Sequence, residues 1–333
     1  METNARAPTH LSIVVPCFNE EESVHELYNR VTSVCSGLHL PSYDFVLVND
    51  GSSDRTWQIL QALAASDPHI VAVNLSRNHG HQLALTAGLS ICQGERILIL
   101  DADLQDPPEL LPMMMKRMDT GIDVVYGQRT KREGETAFKK ATAAGFYSFL
   151  NQIVDIDIPR NTGDFRLISR RALDVLNNMP EHHRFIRGMI SWIGMSQEAF
   201  PYERAPRFAG ETKYPLRKMM RFAVDAITGF SIRPLRIATY VGMCFAAISL
   251  ALIVFVLIQF LLGHTIQGWT SLAVLVLAIG SVQLFVAGVM GEYLGRLYVE
   301  AKQRPLFLIQ DIVSCRTRSV DPTKRTEIHH AQR

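Results

Sequence analysis

The feature that most constrains this chain is a long segment without charged residues. No Asp, Glu, Lys or Arg occurs from Ile237 to Gly291. A short polar turn at 263–268 divides it into segments 237–262 and 269–291. As helices these would be about 39 and about 35 Å long, which exceeds the roughly 30 Å hydrocarbon core of a bilayer. The sequence therefore predicts a hairpin of two transmembrane helices, with a helical hairpin buried in a large soluble core as the alternative.

Basic residues lie on both sides of this segment, whereas the turn between the two helices has none. Arg233 and Arg236 precede the first helix, and Arg296 follows the second. Because positively charged flanks stay on the cytoplasmic side, both ends of the hairpin are expected in the cytoplasm. The N-terminus lacks the apolar stretch of a signal peptide, and scattered cysteines fit a reducing compartment. We therefore expect residues 1–236 to be cytoplasmic.

Charge is unevenly distributed along the rest of the chain. The formal net charge is only +2, which does not indicate a nucleic-acid partner. Basic residues nevertheless outnumber acidic ones over 204–236, and Pro215 to Phe230 interleaves basic with apolar side chains. That pattern predicts helices lying on an anionic lipid surface, with a solvated basic helix as the alternative. The expected organisation is an N-terminal tail (1–10), a globular domain (11–203), basic juxtamembrane interfacial helices (204–236), the transmembrane hairpin (237–291) and a cytoplasmic C-terminal tail (292–333).

Within residues 11–203, short apolar runs alternate with amphipathic segments. Four of the runs are rich in Val, Ile and Leu, at 11–15, 45–48, 70–73 and 96–100. Continuous apolar strands that alternate with helices are typical of a parallel sheet covered on both faces. The sequence therefore predicts an α/β fold with a mostly parallel sheet. Ligands of such sheets bind at the carboxyl ends of the strands.

Acidic residues directly follow two of these strands, at the sheet edge where ligands bind. Asp50 follows the second strand, and Asp101 and Asp103 follow the fourth. Asp50-Gly51 is also a common turn dipeptide. Two carboxylates two residues apart, with Gln105 as a further oxygen ligand, suit a hard divalent cation such as Mg²⁺ or Mn²⁺. The sequence therefore predicts a metal site at Asp101, Asp103 and Gln105, although an isolated Asp-x-Asp motif also occurs by chance.

Several motifs occur in the order found in a known enzyme family. A first set resembles the GT-A glycosyltransferases of the large inverting family: VVPCFNEEES, VNDGSSDRT, SRNHGHQLALTAGL and DADLQDPPE. A second set narrows the resemblance to polyprenyl-phosphate glycosyltransferases, which include bactoprenol glucosyl transferases and dolichol-phosphate mannose synthases: NTGDFRLISRRAL, RFIRGMISWIG and GETKY. The usual motifs of dinucleotide oxidoreductases, P-loop NTPases, zinc proteases and α/β-hydrolases are absent from the sequence.

The resemblance implies a GT-A nucleotide-sugar-binding domain and inverting transfer of a hexose, with glucose from UDP-glucose as the first choice. The acceptor would be polyprenyl (undecaprenyl) phosphate at the cytoplasmic face of the bacterial inner membrane, and Mg²⁺ or Mn²⁺ would assist. GDP-mannose, UDP-galactose and a UDP-amino sugar are alternative donors. A processive polysaccharide synthase is less favoured because its QxxRW motif is absent, and a membrane-anchored nucleotide-binding scaffold is a further alternative. Gly291 and Gly295 allow close helix approach, so a homo-oligomer is also expected.

The resemblance also assigns roles to individual residues. These are nucleotide-sugar contacts at Pro16, Phe18, Glu20 and Asp50, metal ligands at Asp101, Asp103 and Gln105, catalytic roles at Asp164, Arg129 and Arg166, and acceptor-phosphate contacts at Arg207 and Lys213. Asp164 is expected to be a base or an acceptor-orienting carboxylate, and the basic residues are expected to bind phosphates. The structural alternatives are a strand end at Pro16, a core position for Phe18, a helix-start charge at Glu20 and a turn cap at Asp164. His79 and His81 are expected to be polar loop residues.

Overall fold

The computed structural model describes residues 10–38, 40, 42–130, 159, 161–204, 233–262 and 268–315. The chain forms two compact units. One comprises Met1–Ala144, Asp157–Tyr214 and Pro305–Arg333, and the other comprises Gly145–Ile156 and Pro215–Arg304. Among the described residues, the first unit therefore combines the N-terminal domain with residues 305–315.

In the described part of the first unit, eight strands form a mixed sheet with a parallel centre. The strands are β1 (Leu11–Cys17), β2 (Tyr43–Asn49), β3 (Ile70–Leu75), β4 (Arg96–Ile99), β5 (Val124–Arg129), β6 (Thr162–Ser169), β7 (Gln197–Tyr202) and β8 (Ile309–Val313). They lie in the order β7-β5-β6-β4-β1-β2-β3-β8. β1 is parallel to β2 and β4, β2 to β3, and β5 to β7, whereas β6 is antiparallel to β4 and β5. The predicted α/β fold with a mostly parallel sheet is confirmed.

Helices connect the strands and cover the sheet. In this unit they are α1 (Val24–Gly37), α2 (Thr56–Ser66), α3 (His81–Ile91), α4 (Leu111–Met118), α5 (Arg170–Asn178) and α6 (Ile186–Ile193), with a 3₁₀ turn at Pro108–Leu110. Gly88 lets α3 approach the central strands closely, because a Cβ at this position would clash with Val14 and crowd Val48. Both valines are buried. The central strands are continuous apolar runs because helices cover their faces.

Pro16 lies inside β1 without disrupting the sheet. It is paired with Val48 on β2, whereas the pairing of β1 with β4 ends earlier, at Val14 and Ile99. A proline has no N–H to donate, so it is tolerated where the strand lacks a neighbour on one side. At the end of β1, Cys17 lies opposite Asn49 on β2. The loops after β1 and β2 therefore begin side by side.

The eighth strand comes from residues that the sequence analysis assigns to a cytoplasmic tail. β8 pairs antiparallel with β3, and the helix before it continues to Ala301. Part of the expected C-terminal tail, 292–333, is therefore regular structure, since residues 292–301 continue the preceding helix and Ile309–Val313 form β8. β8 is not evident from the sequence because it is only five residues long and carries Gln310 and Asp311 in its middle. Such a strand has no period-two apolar pattern long enough to identify it in a sequence.

The second unit contains two long apolar helices that contact each other, α7 (Arg233–Leu261) and α8 (Trp269–Ala301). By length and composition both can cross a membrane, with mean hydropathies of 1.7 over Leu235–Leu252 and 1.2 over Ala278–Ala301. The two apolar helices expected from the sequence are therefore present. The predicted interfacial helices, like Arg207 and Lys213, fall almost entirely within residues 205–232, which lie outside the described residues.

Candidate active site

The Asp-x-Asp segment forms the loop at the carboxyl end of β4, as expected from the sequence. β4 ends at Ile99, and Asp101 and Asp103 follow it. The loop turns through Leu104, whose φ of 59° lies in the left-handed region that favours glycine. Leu104 adopts this conformation with its side chain buried in the core, and Gln105 N donates to Asp103 Oδ1 at 3.2 Å. The fold therefore holds the loop in a strained conformation, as is common at ligand-binding sites.

Asp164 lies on β6, the strand next to β4, and three side chains hold it. Arg187 on α6 donates from Nε to Asp164 Oδ1 at 2.7 Å and from Nη2 to Oδ2 at 3.3 Å. Gln82 Nε2 donates to Oδ2 at 3.0 Å, and His81 Nε2 lies 3.1 Å from the same oxygen. Burial by itself raises the pKa of Asp164, but the Arg187 charge and these hydrogen bonds hold it well below its ordinary value. Asp164 is therefore an ionised carboxylate with a fixed orientation.

His81, the first residue of α3, links Asp164 to the Asp-x-Asp loop. Its Nε2 atom lies 3.4 Å from Asp101 Oδ1 and 3.1 Å from Asp164 Oδ2. Burial lowers the pKa of His81, but the hydrogen bond to Asp164 and the charge of Asp101 outweigh burial and raise the pKa to about 9. His81 is therefore a cation at neutral pH. The expectation that it is only a polar loop residue is wrong, because its two carboxylate partners are distant in the sequence.

Asp101 presents a buried oxygen, Oδ1, that accepts no hydrogen bond from the described residues. Burial raises the pKa of Asp101, His81 opposes this effect, and Asp164, Asp106 and Asp103 add to it, so that the pKa is about 6. The ligand atoms of His81, Asp101 and Asp164 lie within 4.8 Å of one another and form a candidate metal site. Within this cluster the carboxylate oxygens of Asp101 and Asp164 are the ligand type that a hard divalent cation prefers.

A second group of charged residues surrounds Asp106, which is completely buried. Tyr202 donates a hydrogen bond to Asp106 Oδ1, and Arg129 Nη2 donates to Oδ2 at 3.5 Å. Arg129 Nε also donates to Tyr202 Oη at 3.2 Å. Arg204 connects this group to the Asp-x-Asp loop, since it lies 3.5 Å from Asp106 Oδ1 and 3.6 Å from Asp103 Oδ2. Arg129, a predicted phosphate-binding residue, is therefore fixed between a carboxylate and a tyrosine.

Arg166 lies on β6 beyond Asp164 and is buried. Its Nη2 donates to Gly163 O at 3.0 Å, whereas Nε has no hydrogen-bond partner among the described residues. Burial lowers the pKa of Arg166 to about 10, so the guanidinium remains charged at neutral pH. A Cβ at Gly163 would clash with Arg129 Nη2, so this glycine makes room for the second arginine. Both predicted arginines therefore meet at Gly163, next to Asp164.

The residues predicted to contact the nucleotide-sugar lie at the ends of β1 and β2 and in the loops that follow. Asp50 is buried, and its oxygens accept hydrogen bonds from His79 N at 2.7 Å and Gly80 N at 2.9 Å. Burial raises the pKa of Asp50, although these two hydrogen bonds lower it. Phe18 is 39% exposed, so a ligand can contact its ring, and the core alternative does not apply. Pro16 is buried within β1 and does not end it.

Glu20 stabilises the start of the first helix. Its Oε2 atom accepts from Ser23 Oγ at 2.6 Å, and its carbonyl oxygen accepts from Val24 N at 3.1 Å. Its backbone N–H donates to Thr56 Oγ1 at 2.9 Å. These contacts favour the helix-start alternative for Glu20. Its contact with a nucleotide-sugar stays a prediction.

Several residues of this site have no functional role predicted from the sequence. They are His81, Gln82, Asp106, Arg187, Tyr202 and Arg204. Arg187 lies in the segment RFIRGMISWIG and Asp106 in DADLQDPPE, so the motifs that carried the resemblance already contained both. Tyr202 and Arg204 have no comparable signal, because a tyrosine and an arginine near a strand end are common on protein surfaces.

Comparison with known proteins gives matches over nearly the whole chain. Residues 12–176 match the family Glycosyl transferase family 2, and residues 233–297 match the GtrB C-terminal hairpin. The uncharacterized glycosyltransferase YkcC of Bacillus subtilis is 47% identical over 90% of this chain and 93% of that protein. The prophage bactoprenol glucosyl transferase homolog of Escherichia coli is 39% identical over 91% of this chain and 99% of that protein.

Solved structures are similar at a lower level. Glucosyl-3-phosphoglycerate synthase from Mycobacterium tuberculosis, in complex with Mn²⁺, UDP and glucosyl-3-phosphoglycerate, aligns with a TM-score of 0.41 and 18% identity. That alignment covers 66% of this chain and 78% of the other. The sequence relatives are far more similar and cover most of the chain. On their strength, this membrane-associated glycosyltransferase belongs to glycosyl transferase family 2.

Proposed function

We propose that the protein transfers glucose from UDP-glucose to polyprenyl phosphate, with inversion at the anomeric carbon. The relative named as a bactoprenol glucosyl transferase homolog, 39% identical over 305 residues, supports both the sugar and the lipid acceptor. The two apolar helices and their basic flanks support a multi-pass protein of the bacterial inner membrane, with the catalytic unit in the cytoplasm. Self-association stays a prediction.

The observation that carries the proposal is the meeting of carboxylates and arginines where the carboxyl end of β4 lies beside the amino-terminal half of the antiparallel strand β6. Asp101 and Asp164 flank His81, and Arg129 and Arg166 meet at Gly163. Carboxylates attract a divalent cation, whereas arginines bind phosphate oxygens. A nucleotide-sugar with its metal and an anionic lipid phosphate together need both kinds of group.

In this proposal Asp101, Asp103 and Gln105 hold Mg²⁺ or Mn²⁺. The buried Asp101 Oδ1, which lacks a hydrogen-bond donor among the described residues, supports this assignment. His81 suits a metal less well because an imidazolium has no lone pair to offer, and Asp164 is already bound by Arg187. The metal, when bound, neutralises negative charge that develops on the departing nucleoside diphosphate.

Asp164 acts in this proposal by orienting groups rather than by removing a proton. A phosphate acceptor is already anionic at neutral pH, so the reaction requires no strong base. Asp164 is a weak base, because Arg187 and its hydrogen bonds hold its pKa well below the ordinary value. Through Gln82 and Arg187 it joins α3 and α6 to β6. Fixed positions of this kind lower the entropic cost of bringing donor and acceptor together.

Arginines supply positive charge for the phosphates. A planar guanidinium can bind two phosphate oxygens at once, which a lysine cannot do in the same way. Arg166 has a buried Nε without a hydrogen-bond partner among the described residues, which supports a ligand contact there. Arg129 contributes beside Asp106. Arg207 and Lys213, which lie outside the described residues, stay the proposed contacts of the acceptor phosphate.

A transfer assay with the purified full chain tests this proposal. The reaction contains undecaprenyl phosphate, Mg²⁺ or Mn²⁺ and one labelled donor: UDP-glucose, UDP-galactose, GDP-mannose or a UDP-amino sugar. We expect label to enter the organic phase from UDP-glucose alone. EDTA should stop the transfer and added Mg²⁺ should restore it. Asp101→Asn should reduce the rate by about 100-fold or more, as loss of a group that stabilises transition-state charge does.

The matched control is Asp174→Asn, which removes an exposed carboxylate of α5 that pairs with Arg170. Its rate should equal that of the wild type. Transfer from a different donor would overturn the assignment of glucose. Transfer that resists EDTA would overturn the metal assignment. No transfer from any donor, with UDP still bound in calorimetry, would favour the nucleotide-binding scaffold instead.

A further inference from the structure

Strand β8 brings an acidic residue from near the end of the chain against β3. The two strands are antiparallel, with Asp311 opposite Asn74. The register shifts between Asn74 and Leu75, and beyond the shift Ser76 N donates to Leu308 O at 2.9 Å. Asp311 is thereby fixed beside a residue 237 positions earlier in the chain.

Three polar side chains form a hydrogen-bonded row across β8, β3 and β2. Asn74 Nδ2 donates to Asp311 Oδ2 at 3.3 Å, and Asn49 Nδ2 donates to Asn74 Oδ1 at 2.8 Å. Asn49 Oδ1 accepts in turn from Ser52 N at 3.2 Å. Asn49 is buried and Asn74 is half-buried, so water competes weakly for these bonds. We call Asn49, Asn74 and Asp311 the amide row.

Asp311 fixes the direction of the amide row at its β8 end, and Ser52 N, which can only donate, fixes it at the other end. An asparagine amide has a donor end and an acceptor end, whereas an ionised carboxylate only accepts. With Asp311 beside it, Asn74 turns its NH₂ group toward β8 and its oxygen toward Asn49. Asn49 then presents its oxygen to Ser52 N. Without an acceptor at position 311, the β8 end of the row no longer opposes a half-turn of the Asn74 amide, which would bring its NH₂ group against that of Asn49.

The amide row ends on the turn that carries Asp50. Asn49 holds this turn through Ser52 N, and Ser52 Oγ accepts from Asn19 N at 3.0 Å. The loop after β1, which includes Phe18, is therefore attached to the same turn. Phe18 and Asp50, together with Glu20, are the residues of these loops that are predicted to contact the nucleotide-sugar.

We propose that Asp311 is a positioning residue for nucleotide-sugar binding, acting through Asn74 and Asn49 on the turn at Asp50. The inference rests on the proposed function, since it takes the donor to be a UDP-sugar that contacts Phe18 and Asp50. It makes β8, which follows both apolar helices in the chain, a part of the donor site.

The test compares three variants in the full chain: Asp311→Ala, Asp311→Asn and Gln310→Ala. Asp311→Ala removes the acceptor for Asn74 Nδ2, whereas Asp311→Asn retains an oxygen that can accept. Gln310 is the exposed neighbour on β8 and serves as the matched control. Calorimetry gives the Kd for UDP, and the transfer assay gives the KM for UDP-glucose and kcat separately.

We expect Asp311→Ala to raise the Kd for UDP and the KM for UDP-glucose by about threefold to tenfold, the effect of roughly one hydrogen bond. The kcat at saturating donor should stay within about twofold, because the residue acts on donor binding. Asp311→Asn and Gln310→Ala should stay within about twofold of the wild type in all three quantities. An unchanged Kd in Asp311→Ala, or an equal loss in both Asp311 variants, would overturn the proposal.

A double-mutant cycle with Asn74→Ala separates the amide row from a general weakening of the sheet. If both residues act through one row, the Kd of the double variant for UDP should be about the same as that of the single variant that binds UDP less tightly. Additive losses would contradict the proposal. Thermal unfolding reports whether each variant folds. If Asp311→Ala does not fold, the Kd for UDP of Asn74→Ala provides the same test of the amide row.

UDP binding also separates this inference from the proposed function. A wild type that binds UDP but transfers no glucose would refute the proposed function, and the Kd comparison would still decide the role of Asp311. A wild type that does not bind UDP would overturn both.

Discussion

Asp50 and Asp164 are each only 2% exposed, yet their pKa values shift in opposite directions. Burial raises the pKa of both. For Asp50, the effect of burial is opposed chiefly by hydrogen bonds from two backbone N–H groups, and its pKa stays raised. Asp164 faces the full charges of Arg187 and His81, and its pKa falls well below the ordinary value. The charge of the partners, rather than the depth of burial, decides the direction.

The two carboxylates also differ in what they hold together. Asp50 fixes the backbone of the 79–80 loop, so its role depends on the local shape of two turns. Asp164 joins side chains from α3 and α6 to β6, so its role depends on tertiary packing. Substitution should therefore affect the Asp164 side of the site more strongly than the Asp50 side.

The largest effect is expected for Asp164→Asn. This change leaves Arg187 without its anionic partner and His81 with Asp101 alone, and it weakens the link between α3, α6 and β6. We expect the initial rate of sugar transfer to fall by about 100-fold or more. The Asp174→Asn variant controls for loss of an acid elsewhere. A rate within tenfold of the wild type would show that the fixed carboxylate is not required.

Replacing Arg187 instead tests how far the burial of the Asp164 carboxylate depends on a positively charged partner. Arg187→Met should lower the free energy of unfolding by about 3–5 kcal/mol, because it leaves a buried carboxylate without its strongest partner. Thermal unfolding of the detergent-solubilised chain measures the loss.

The rescue experiment adds Asp164→Leu to Arg187→Met. Replacing both members of a buried ion pair by apolar side chains removes the unpaired charge, so the double variant should be more stable than the single one. If the double variant is no more stable than Arg187→Met, the loss of stability in the single variant comes from lost packing and not from an unpaired charge. Partner charge would then not be what distinguishes Asp164 from Asp50.

Asp50→Asn should lower the free energy of unfolding by a smaller amount, about 1–2 kcal/mol, since an amide can keep only one of the two backbone hydrogen bonds. The pH dependence gives a sharper test. Because the pKa of Asp50 is raised in the folded state, ionisation costs stability as the pH rises from about 4 through that raised pKa. The difference in free energy of unfolding between the wild type and Asp50→Asn should therefore shrink as the pH rises. Unfolding temperatures measured from pH 4 to pH 7 decide this, and a difference that grows with pH would falsify the assignment.

Local sequence patterns predicted the parallel strands and the acidic loop correctly. β1 and β2 are apolar runs that end in turn residues, so both the strands and their carboxyl ends can be identified from the sequence. Asp101 and Asp103 follow β4 directly, and the edge on which they lie follows from the direction of the strand.

The rest of the site depends on contacts between distant segments. The sequence indicates only a loop residue at His81, because the charges that raise its pKa to about 9 come from β6 and the loop after β4. Arg187 lies 23 residues from the carboxylate that it binds. β8 is identified only by its pairing with β3, which no local pattern in five residues could predict.

The smallest effect is expected where the same kind of ion pair lies at the surface. Arg30 binds Glu109 through two hydrogen bonds, at 2.8 and 2.7 Å, much as Arg187 binds Asp164, but the Glu109 side chain is 50% exposed. Water screens this pair, so Glu109→Gln should cost less than about 1 kcal/mol, and about 1 M salt should remove most of that difference. Salt should leave the cost of Arg187→Met nearly unchanged, because the Asp164 carboxylate is buried. Equal salt sensitivity of the two variants in thermal unfolding would mean that the Asp164 pair is as accessible to ions as a surface pair.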